Sequence, residues 1–171
     1  YDKNWKNYDI RIELDDLIQV LVAGGIEQAI FVGTSRGGLL TMALAAARPA
    51  TIRGVVFNDV GPVIDARGLL RIRGYVGKLP VPRSFQEGAE ILKRLSDQQF
   101  PILGEAEWEV MARRTWTDRD GALKPDYDIR LMKVLEELDL EAPLPVLWPY
   151  FDALKAVPML AIRGANSDLL A

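Results

Sequence analysis

Apolar residues along the chain recur first at helical spacing and then in short continuous runs. Residues 10–23 carry apolar positions three or four apart behind Asp9 in the N-cap position, which predicts an amphipathic helix. Residues 29–32 and 52–57 are mainly apolar, which predicts two buried strands, and a helix-forming run between them ends near Ala47. A strand, a helix and a second strand over this length predict one parallel crossover unit.

The middle of the chain has a different pattern, in which prolines separate segments with helical spacing. Ser84 and Glu87 form the sequence signature of a capping box. The helix that follows is expected to bury one face, made of Phe85, Ala89, Leu92 and Leu95. Further elements are predicted from the same spacing, with helices over residues 105–114, 128–138 and 151–155 and a third strand over residues 157–162.

These elements predict an α/β fold whose mostly parallel sheet is interrupted by a helical segment. Residues 1–61 and 149–171 are assigned to the sheet-containing core, and residues 62–148 to an insertion between the second and third strands. Such an insertion usually lies over the carboxyl ends of the strands as a lid, where ligands of α/β proteins bind. The binding site is therefore expected between the core and the insertion.

Composition narrows the functional classes. The 171 residues include 49% hydrophobic residues and carry a net charge of −3, with no basic stripe and no apolar run of membrane-spanning length. Neither nucleic acid nor a membrane is therefore expected as a partner. The chain has no cysteine and no histidine, so no metal and no cofactor is expected, and a reducing, cytoplasmic compartment is predicted. A small-molecule substrate is expected, and the choice between monomer and homo-oligomer stays open.

One short motif carries a specific chemical prediction. Gly33-Thr34-Ser35-Arg36-Gly37 follows a predicted strand and precedes a predicted helix, which is the setting of a nucleophile elbow. Ser35 is the predicted nucleophile, and the backbone N–H of Arg36 is expected to form part of an oxyanion hole at the start of the helix. Glycines are expected at both ends of the motif because a side chain there would collide with the neighbouring strand or helix.

The proton acceptor that a serine nucleophile needs is missing from this sequence. There is no histidine, and the lysine of a Ser-x-x-Lys arrangement would stand at position 38, which is Gly38. Loss of the base from a serine triad lowers kcat by on the order of 10⁶. The chain alone is therefore expected to be inactive or nearly so.

Two further segments complete a resemblance to a known family. Together with the elbow, residues 58–62 (Asn-Asp-Val-Gly-Pro) and 163–170 (Arg-Gly-Ala-Asn-Ser-Asp-Leu-Leu) resemble the capped serine hydrolases of the α/β-hydrolase superfamily. The resemblance implies the chain order serine, acid, histidine, in which Asp168 matches the acid. Asp59 is the alternative, because some members carry the acid after the strand that follows the elbow.

The resemblance covers only the central portion of the family fold and implies a partial doubly wound sheet. It implies that the histidine, a second oxyanion donor and the N- and C-terminal segments of the same fold lie outside this sequence. In the family, the elbow strand is central and pairs on both sides. Here that strand would have one bare apolar edge, so the chain is expected to aggregate or to need those segments as partners.

The substrate class is predicted from large apolar residues in the second half of the chain. The predicted pocket wall consists of Trp108, Met111, Trp116, Trp148 and Phe151. The alternative for each of them is packing of the insertion onto the core. The expected function is hydrolysis of a small, largely apolar ester or lactone through an acyl-serine. Two alternatives stay open: hydrolysis of a carbon–carbon bond next to a ketone, and a relative that binds ligands without catalysis.

Overall fold

The computed structural model describes residues 2–170, so Tyr1 and Ala171, at the outer ends of the predicted core segments, lie outside the described residues. The α-helices are α1 (Ile10–Ala23), α2 (Arg36–Ala47), α3 (Ala66–Tyr75), α4 (Phe85–Ser96), α5 (Glu105–Thr115), α6 (Met132–Glu136) and α7 (Trp148–Asp152). The strands are β1 (Ala29–Thr34), β2 (Ile52–Asn58), β3 (Trp116–Arg119), β4 (Ala122–Pro125) and β5 (Met159–Ile162). Short 3-10 helices cover Trp5–Tyr8, Pro49–Thr51 and Ile129–Leu131.

Three parallel strands form the main sheet in the order β1-β2-β5. Pairing places Gly33 opposite Phe57 and Thr34 opposite Asn58, so β1 and β2 end at the same edge of the sheet. The predicted parallel crossover through α2 and the predicted α/β class are both confirmed. The predicted N-cap of α1 is confirmed as well, since the side chain of Asp9 accepts a hydrogen bond from the backbone N–H of Arg11.

The helices of the core cover one face of this sheet. Met42 and Leu44 of α2 are buried with Phe57 of β2 in one apolar cluster. Ile30 and Val32 of β1 are 66% and 71% exposed, because alternate side chains of a strand point to opposite faces. Within residues 2–170, the second face of the sheet therefore has an exposed apolar surface at β1.

The insertion has an apolar cluster of its own. Trp108 and Trp116 are 2% and 1% exposed and are buried together with Ile91, Leu92, Ala112 and Leu123. Helices α4 and α5 pack against each other around these side chains. Leu95 is 46% exposed, so the sequence-based expectation that it belongs to the buried face of α4 is wrong.

A hairpin stands where apolar spacing in the insertion predicts only helices. Strands β3 and β4 pair antiparallel across Asp120 and Gly121. These two residues have φ angles of 59° and 79°, and φ is positive at both central positions of the type I′ turn that favours two-residue hairpins. Asp-Gly is a strong hairpin signal in sequence, but the flanking strands are too short to show an alternating pattern.

The remaining helices differ from the prediction at their ends. The helix predicted over residues 128–138 is divided into a 3-10 turn and the short α6. The helix predicted over residues 151–155 begins at Trp148 instead. The division into a core and an insertion at residues 61/62 and 148/149 stays a prediction. Among residues 2–170, no helix is both long enough and apolar enough to cross a membrane.

Candidate active site

Ser35 lies at a strained corner between β1 and α2. Its φ and ψ are 47° and −115°, a combination that non-glycine residues rarely adopt and that is concentrated at functional sites. The backbone N–H of Ser35 donates to the Asn58 carbonyl at 3.2 Å, and its carbonyl accepts from the N–H of Gly38 at 2.9 Å. The Ser35 side chain makes no capping hydrogen bond to α2. Its hydroxyl is thus held at the corner without serving as a helix cap.

Two glycines allow α2 to approach the sheet at this corner. A Cβ atom on Gly33 would lie 2.6 Å from the Cα of Gly38, and a Cβ on Gly38 would lie 2.3 Å from Cγ1 of Val60. No atom lies within 4 Å of a Cβ placed on Gly37. The expected collision is therefore confirmed at position 33 but wrong at position 37, because the close contact falls one residue later in the helix.

A cavity of about 920 Å³, hereafter the main cavity, opens beside Ser35. Asp59, which follows β2, lines the same cavity, as does Arg36. Most of the wall is apolar and comes from α2, from α3 and from the segment around α6, including Leu39, Ile72 and Leu135. The nucleophile candidate thus lies in the wall of an apolar space between the core and the insertion.

Arg36 is fixed through its side chain. Its Nε donates to Glu13 Oε2 of α1 at 2.8 Å, and its Nη2 donates to the backbone carbonyl of Tyr8. Its backbone N–H belongs to the first turn of α2, where N–H groups have no partner within the helix. The Arg36 side chain therefore anchors the start of α2, and its N–H is placed next to Ser35.

Asp59 is the second strained residue of the site, with a φ of 54°. Its Oδ1 accepts from the backbone N–H of Gly164 at 3.1 Å, and its Oδ2 accepts from the hydroxyl of Ser167 at 2.8 Å. Its own backbone N–H donates to the Ile162 carbonyl at 2.8 Å. The loop after β5 therefore orients the Asp59 carboxylate at the carboxyl end of the sheet.

Asp168 is paired with the insertion. Its carboxylate accepts two hydrogen bonds from Arg71 of α3, at 2.6 Å from Nε and 2.8 Å from Nη2. These hydrogen bonds hold the pKa of Asp168 below its ordinary value. Asp168 is not among the residues that line the main cavity, whereas its neighbour Leu169 is. Of the two candidate acids, only Asp59 shares the main cavity with Ser35.

A second polar contact joins the start of the chain to the insertion. Tyr8 donates from its hydroxyl to Oδ2 of Asp128 at 2.7 Å, and Arg130 donates to both oxygens of the same carboxylate at about 3 Å. The hydrogen bond to Asp128 raises the pKa of Tyr8 to about 12. The hydrogen bonds from Arg130, reinforced by Tyr8, hold the pKa of Asp128 well below its usual range.

The five residues predicted as the pocket wall do not line the main cavity. Trp108 and Trp116 form the centre of the buried cluster of the insertion, and Met111 packs at the edge of that cluster. Phe151 stacks on Phe57 of the core at 5.7 Å, and Trp148 packs edge-on against Phe151 at 5.5 Å. This corrects the sequence-based expectation, since these side chains serve packing within the insertion or on the core.

The residues that do line the main cavity include a face of α2 that sequence reasoning missed. This face contains Leu39 and Ala43, each four residues after the previous position from Ser35 onward, and then Ala46 and Ala47, three and four residues after Ala43. The spacing was visible in the sequence, but alanines carry little information on whether a face contacts core or cavity. Among residues 2–170, no group of three or more histidine, cysteine, aspartate or glutamate side chains is arranged to hold a metal ion.

Comparison with known proteins finds hydrolases. No protein-family model matches the chain. The chain is 31% identical to the 3-hydroxybutyrate-oligomer hydrolase of Cupriavidus necator over 92% of its own length and 55% of that protein. It superposes on the crystal structure of an α/β hydrolase from Novosphingobium aromaticivorans with a TM-score of 0.91 and 39% identity, over 100% of this chain and 60% of that one.

The same fold recurs in E-2-(acetamidomethylene)succinate hydrolase, with a TM-score of 0.78 and 23% identity over 99% of this chain and 60% of that one. At this identity, the likeness concerns the fold alone. The chain spans 55% to 60% of the length of these relatives.

Proposed function

Because this chain belongs to the α/β-hydrolase superfamily, we propose that it forms the central part of a serine hydrolase that cleaves a largely apolar carboxylic ester or lactone through an acyl-serine at Ser35. The observation that carries this proposal is the position of Ser35. Its hydroxyl stands at a corner with positive φ and is not engaged as a helix cap, in the wall of a mainly apolar cavity.

In the proposed reaction, Oγ of Ser35 forms a bond to the carbonyl carbon while its proton passes to a base. The carbonyl oxygen becomes an oxyanion, which the backbone N–H of Arg36 and the dipole of α2 stabilise. The alcohol then leaves with the proton, and water releases the acid from Ser35 by the same sequence of steps. The chain contains no histidine, so the proposal assigns the base to a part of the protein outside these 171 residues.

We assign the orienting acid to Asp59 rather than to Asp168. A triad acid must hold an imidazole in one orientation, which requires that the carboxylate itself be fixed. The Gly164 N–H and the Ser167 hydroxyl fix Asp59 beside the main cavity. Both carboxylate oxygens of Asp168 instead accept hydrogen bonds from Arg71 of α3, so in this proposal Asp168 anchors the insertion.

The ester class is supported by the Cupriavidus relative, which is a 3-hydroxybutyrate-oligomer hydrolase. Such an oligomer is a linear chain of ester units, and the apolar wall of the main cavity suits a substrate of this kind. Cleavage of a carbon–carbon bond would use the same residues and stays an alternative prediction. A cytoplasmic location, inferred from the absence of cysteine, stays part of the proposal.

The proposal can be tested on this chain by supplying the missing base. Imidazole in solution can accept the proton of Ser35, so release of 4-nitrophenolate from 4-nitrophenyl butyrate is expected to rise with imidazole concentration. The control is the Ser35→Ala variant, which retains the fold but lacks the nucleophile, and its rate should equal that of imidazole without protein. Equal rates for the two proteins would overturn the assignment of Ser35, as would rapid turnover of the wild type without imidazole.

A further inference from the structure

The main cavity extends along almost the whole length of α2. From Ser35 at the start of the helix, the lining continues through Leu39 and Ala43 to Ala46 and Ala47 at its end. Leu39 and Ala43 follow at steps of four residues, and Ala46 and Ala47 come three and four residues after Ala43, so these positions share one face of the helix. With a rise of about 1.5 Å per residue, the distance along this face from Ser35 to Ala46 is about 16 Å.

The wall opposite this face is apolar. It includes Ile72 and Val76 of α3 and Leu135 of α6, followed by Leu138 and Leu144 of the segment that leads back to the core. The alanines on the α2 side are small, so they leave width for a ligand rather than filling the space. The resulting channel is long and mainly apolar, with the nucleophile candidate at one end.

The charged side chains that line the cavity already have partners within the chain. Arg11 pairs with Asp9 at 2.9 Å, and Arg36 pairs with Glu13 at 2.8 Å. Asp59 accepts its hydrogen bonds from the loop after β5. A ligand in this cavity therefore meets no charged side chain without a partner along the α2 face, which favours an uncharged apolar chain over a polar one.

We propose that the acyl chain of the substrate lies extended along α2, with its carbonyl carbon at Ser35 and its far end beside Ala46 and Ala47. A span of about 16 Å corresponds to about a dozen carbon–carbon bonds of about 1.5 Å in a zigzag chain. The substrate class is thus a medium-length linear acyl ester, or a linear oligoester of the same length. This inference rests on the proposed function for its chemistry at Ser35, but chain binding itself does not require the serine hydroxyl.

The test measures binding of uncharged straight-chain methyl ketones, which carry a carbonyl but no leaving group. Ketones of four to fourteen carbons are titrated against an uncharged fluorescent alkyl probe bound to the 171-residue chain, and displacement of the probe gives Kd. Each methylene that enters the channel should tighten Kd by at most about fourfold, and the gain should stop near a dozen carbons. Ser35→Ala should show the same length dependence as the wild type.

Two substitutions shorten the channel by different amounts. Ala46→Phe adds a ring at the exposed far end of the channel, and Ala43→Phe adds one a turn nearer to Ser35. The length of the longest ketone that still gains affinity should therefore decrease from the wild type to Ala46→Phe and further to Ala43→Phe. The matched control is Val20→Phe on α1, which adds the same side chain at a residue that is 64% exposed and does not line the cavity. Binding of the four-carbon ketone should be unchanged in Val20→Phe.

The outcomes separate this inference from the proposed function. A length limit that moves with Ala46→Phe and Ala43→Phe but not with Val20→Phe supports the channel. An identical length profile in all four proteins, or no length dependence in the wild type, overturns it. The imidazole assay could fail while the length limit still moves in the channel variants. That result would support the chain-binding channel and would refute only the acyl-serine chemistry.

Discussion

At the scale of single residues, the site depends on two backbone conformations that L-amino acids seldom adopt. Ser35 and Asp59 have φ angles of 47° and 54°, and each directly follows one of two adjacent strands that pair with each other. The elbow motif makes the conformation of Ser35 predictable, because Gly33 and the following helix leave room for one tight turn. The sequence marks Asp59 only as the alternative acid, and it does not predict the conformation of this residue, because the loop after β5 contacts its carboxylate from a distant part of the chain.

The glycines of the elbow give a matched pair of substitutions. Gly33→Ala places a methyl group 2.6 Å from the backbone of Gly38 and should lower the free energy of unfolding by about 2 kcal/mol or more, as overpacking usually does. Gly37→Ala meets no atom within 4 Å, and a better helix former in α2 should be neutral or stabilising by up to about 1 kcal/mol. Urea unfolding of both variants measures the difference, and an equal loss in the two would contradict the packing described for the elbow.

The two candidate acids predict different responses in the imidazole assay. If Asp59 orients the imidazole, Asp59→Asn should raise the imidazole concentration needed for half-maximal release of 4-nitrophenolate. Asp168→Asn should leave that concentration unchanged, because Asp168 is paired with Arg71 away from the main cavity. If Asp168→Asn raised that imidazole concentration and Asp59→Asn left it unchanged, Asp168 would be the orienting acid.

At the scale of elements, the insertion is attached to the core by polar side chains as well as by packing. Arg71 of α3 donates a hydrogen bond to Asp168 in the loop after β5. Tyr8, near the start of the chain, donates one to Asp128 of the insertion. Helix positions were predictable from spacing and caps, as for α1 behind Asp9. The β3–β4 hairpin was not, since its strands have four residues each and no alternation to detect. The role of Trp108 and Trp116 was not predictable either, because an aromatic residue has the same sequence signature in a pocket wall and in a packed cluster.

The Arg71–Asp168 pair predicts a pH dependence of stability. Because the pKa of Asp168 is lower in the folded chain than its ordinary value of 3.8, the pair stabilises the fold above that value and loses its contribution as the pH falls below it. Both side chains are about one-third exposed, so the effect should be on the order of 1 kcal/mol or less.

Thermal unfolding of the wild type and of Asp168→Asn measures this contribution. The variant should melt at a lower temperature than the wild type at pH 7, and the gap should narrow as the pH falls below 3.8 and through the lowered pKa of Asp168. Arg71→Met serves as the partner substitution, and the double variant should lose little more than either single one. A gap that is independent of pH would show that the ion pair does not stabilise the folded chain.

At the scale of the whole molecule, the described chain carries an α/β sheet with helices on one face and an exposed apolar surface on the other. Among residues 2–170, β1 pairs only with β2, and Ile30 and Val32 are largely exposed. The bare edge of the elbow strand was predictable from the resemblance to the family, in which that strand pairs on both sides. The course of the main cavity along α2 was not predictable from the sequence. It depends on how the insertion folds back over α2, and the alanines there do not indicate whether their face contacts a core or a cavity.

The exposed edge predicts self-association of this chain. Unpaired strand edges with apolar side chains template pairing between molecules, and a lysine on such an edge opposes it. Val32→Lys should therefore reduce light scattering and shift the chain toward monomer in size-exclusion chromatography. Val20→Lys, at a residue of similar exposure on α1, is the matched control and should change little. A wild-type chain that stays monomeric at high concentration would contradict the prediction.

The most direct measurement is the location of the acyl group after reaction with an activated ester. The chain is incubated with 4-nitrophenyl butyrate and imidazole, quenched in acid and digested, and the modified residue is identified by mass spectrometry. We expect a butyryl group on the hydroxyl of Ser35. It should be absent in Ser35→Ala and should not appear on Ser167, whose hydroxyl donates to Asp59. A butyryl group on other residues with Ser35 unmodified would contradict it.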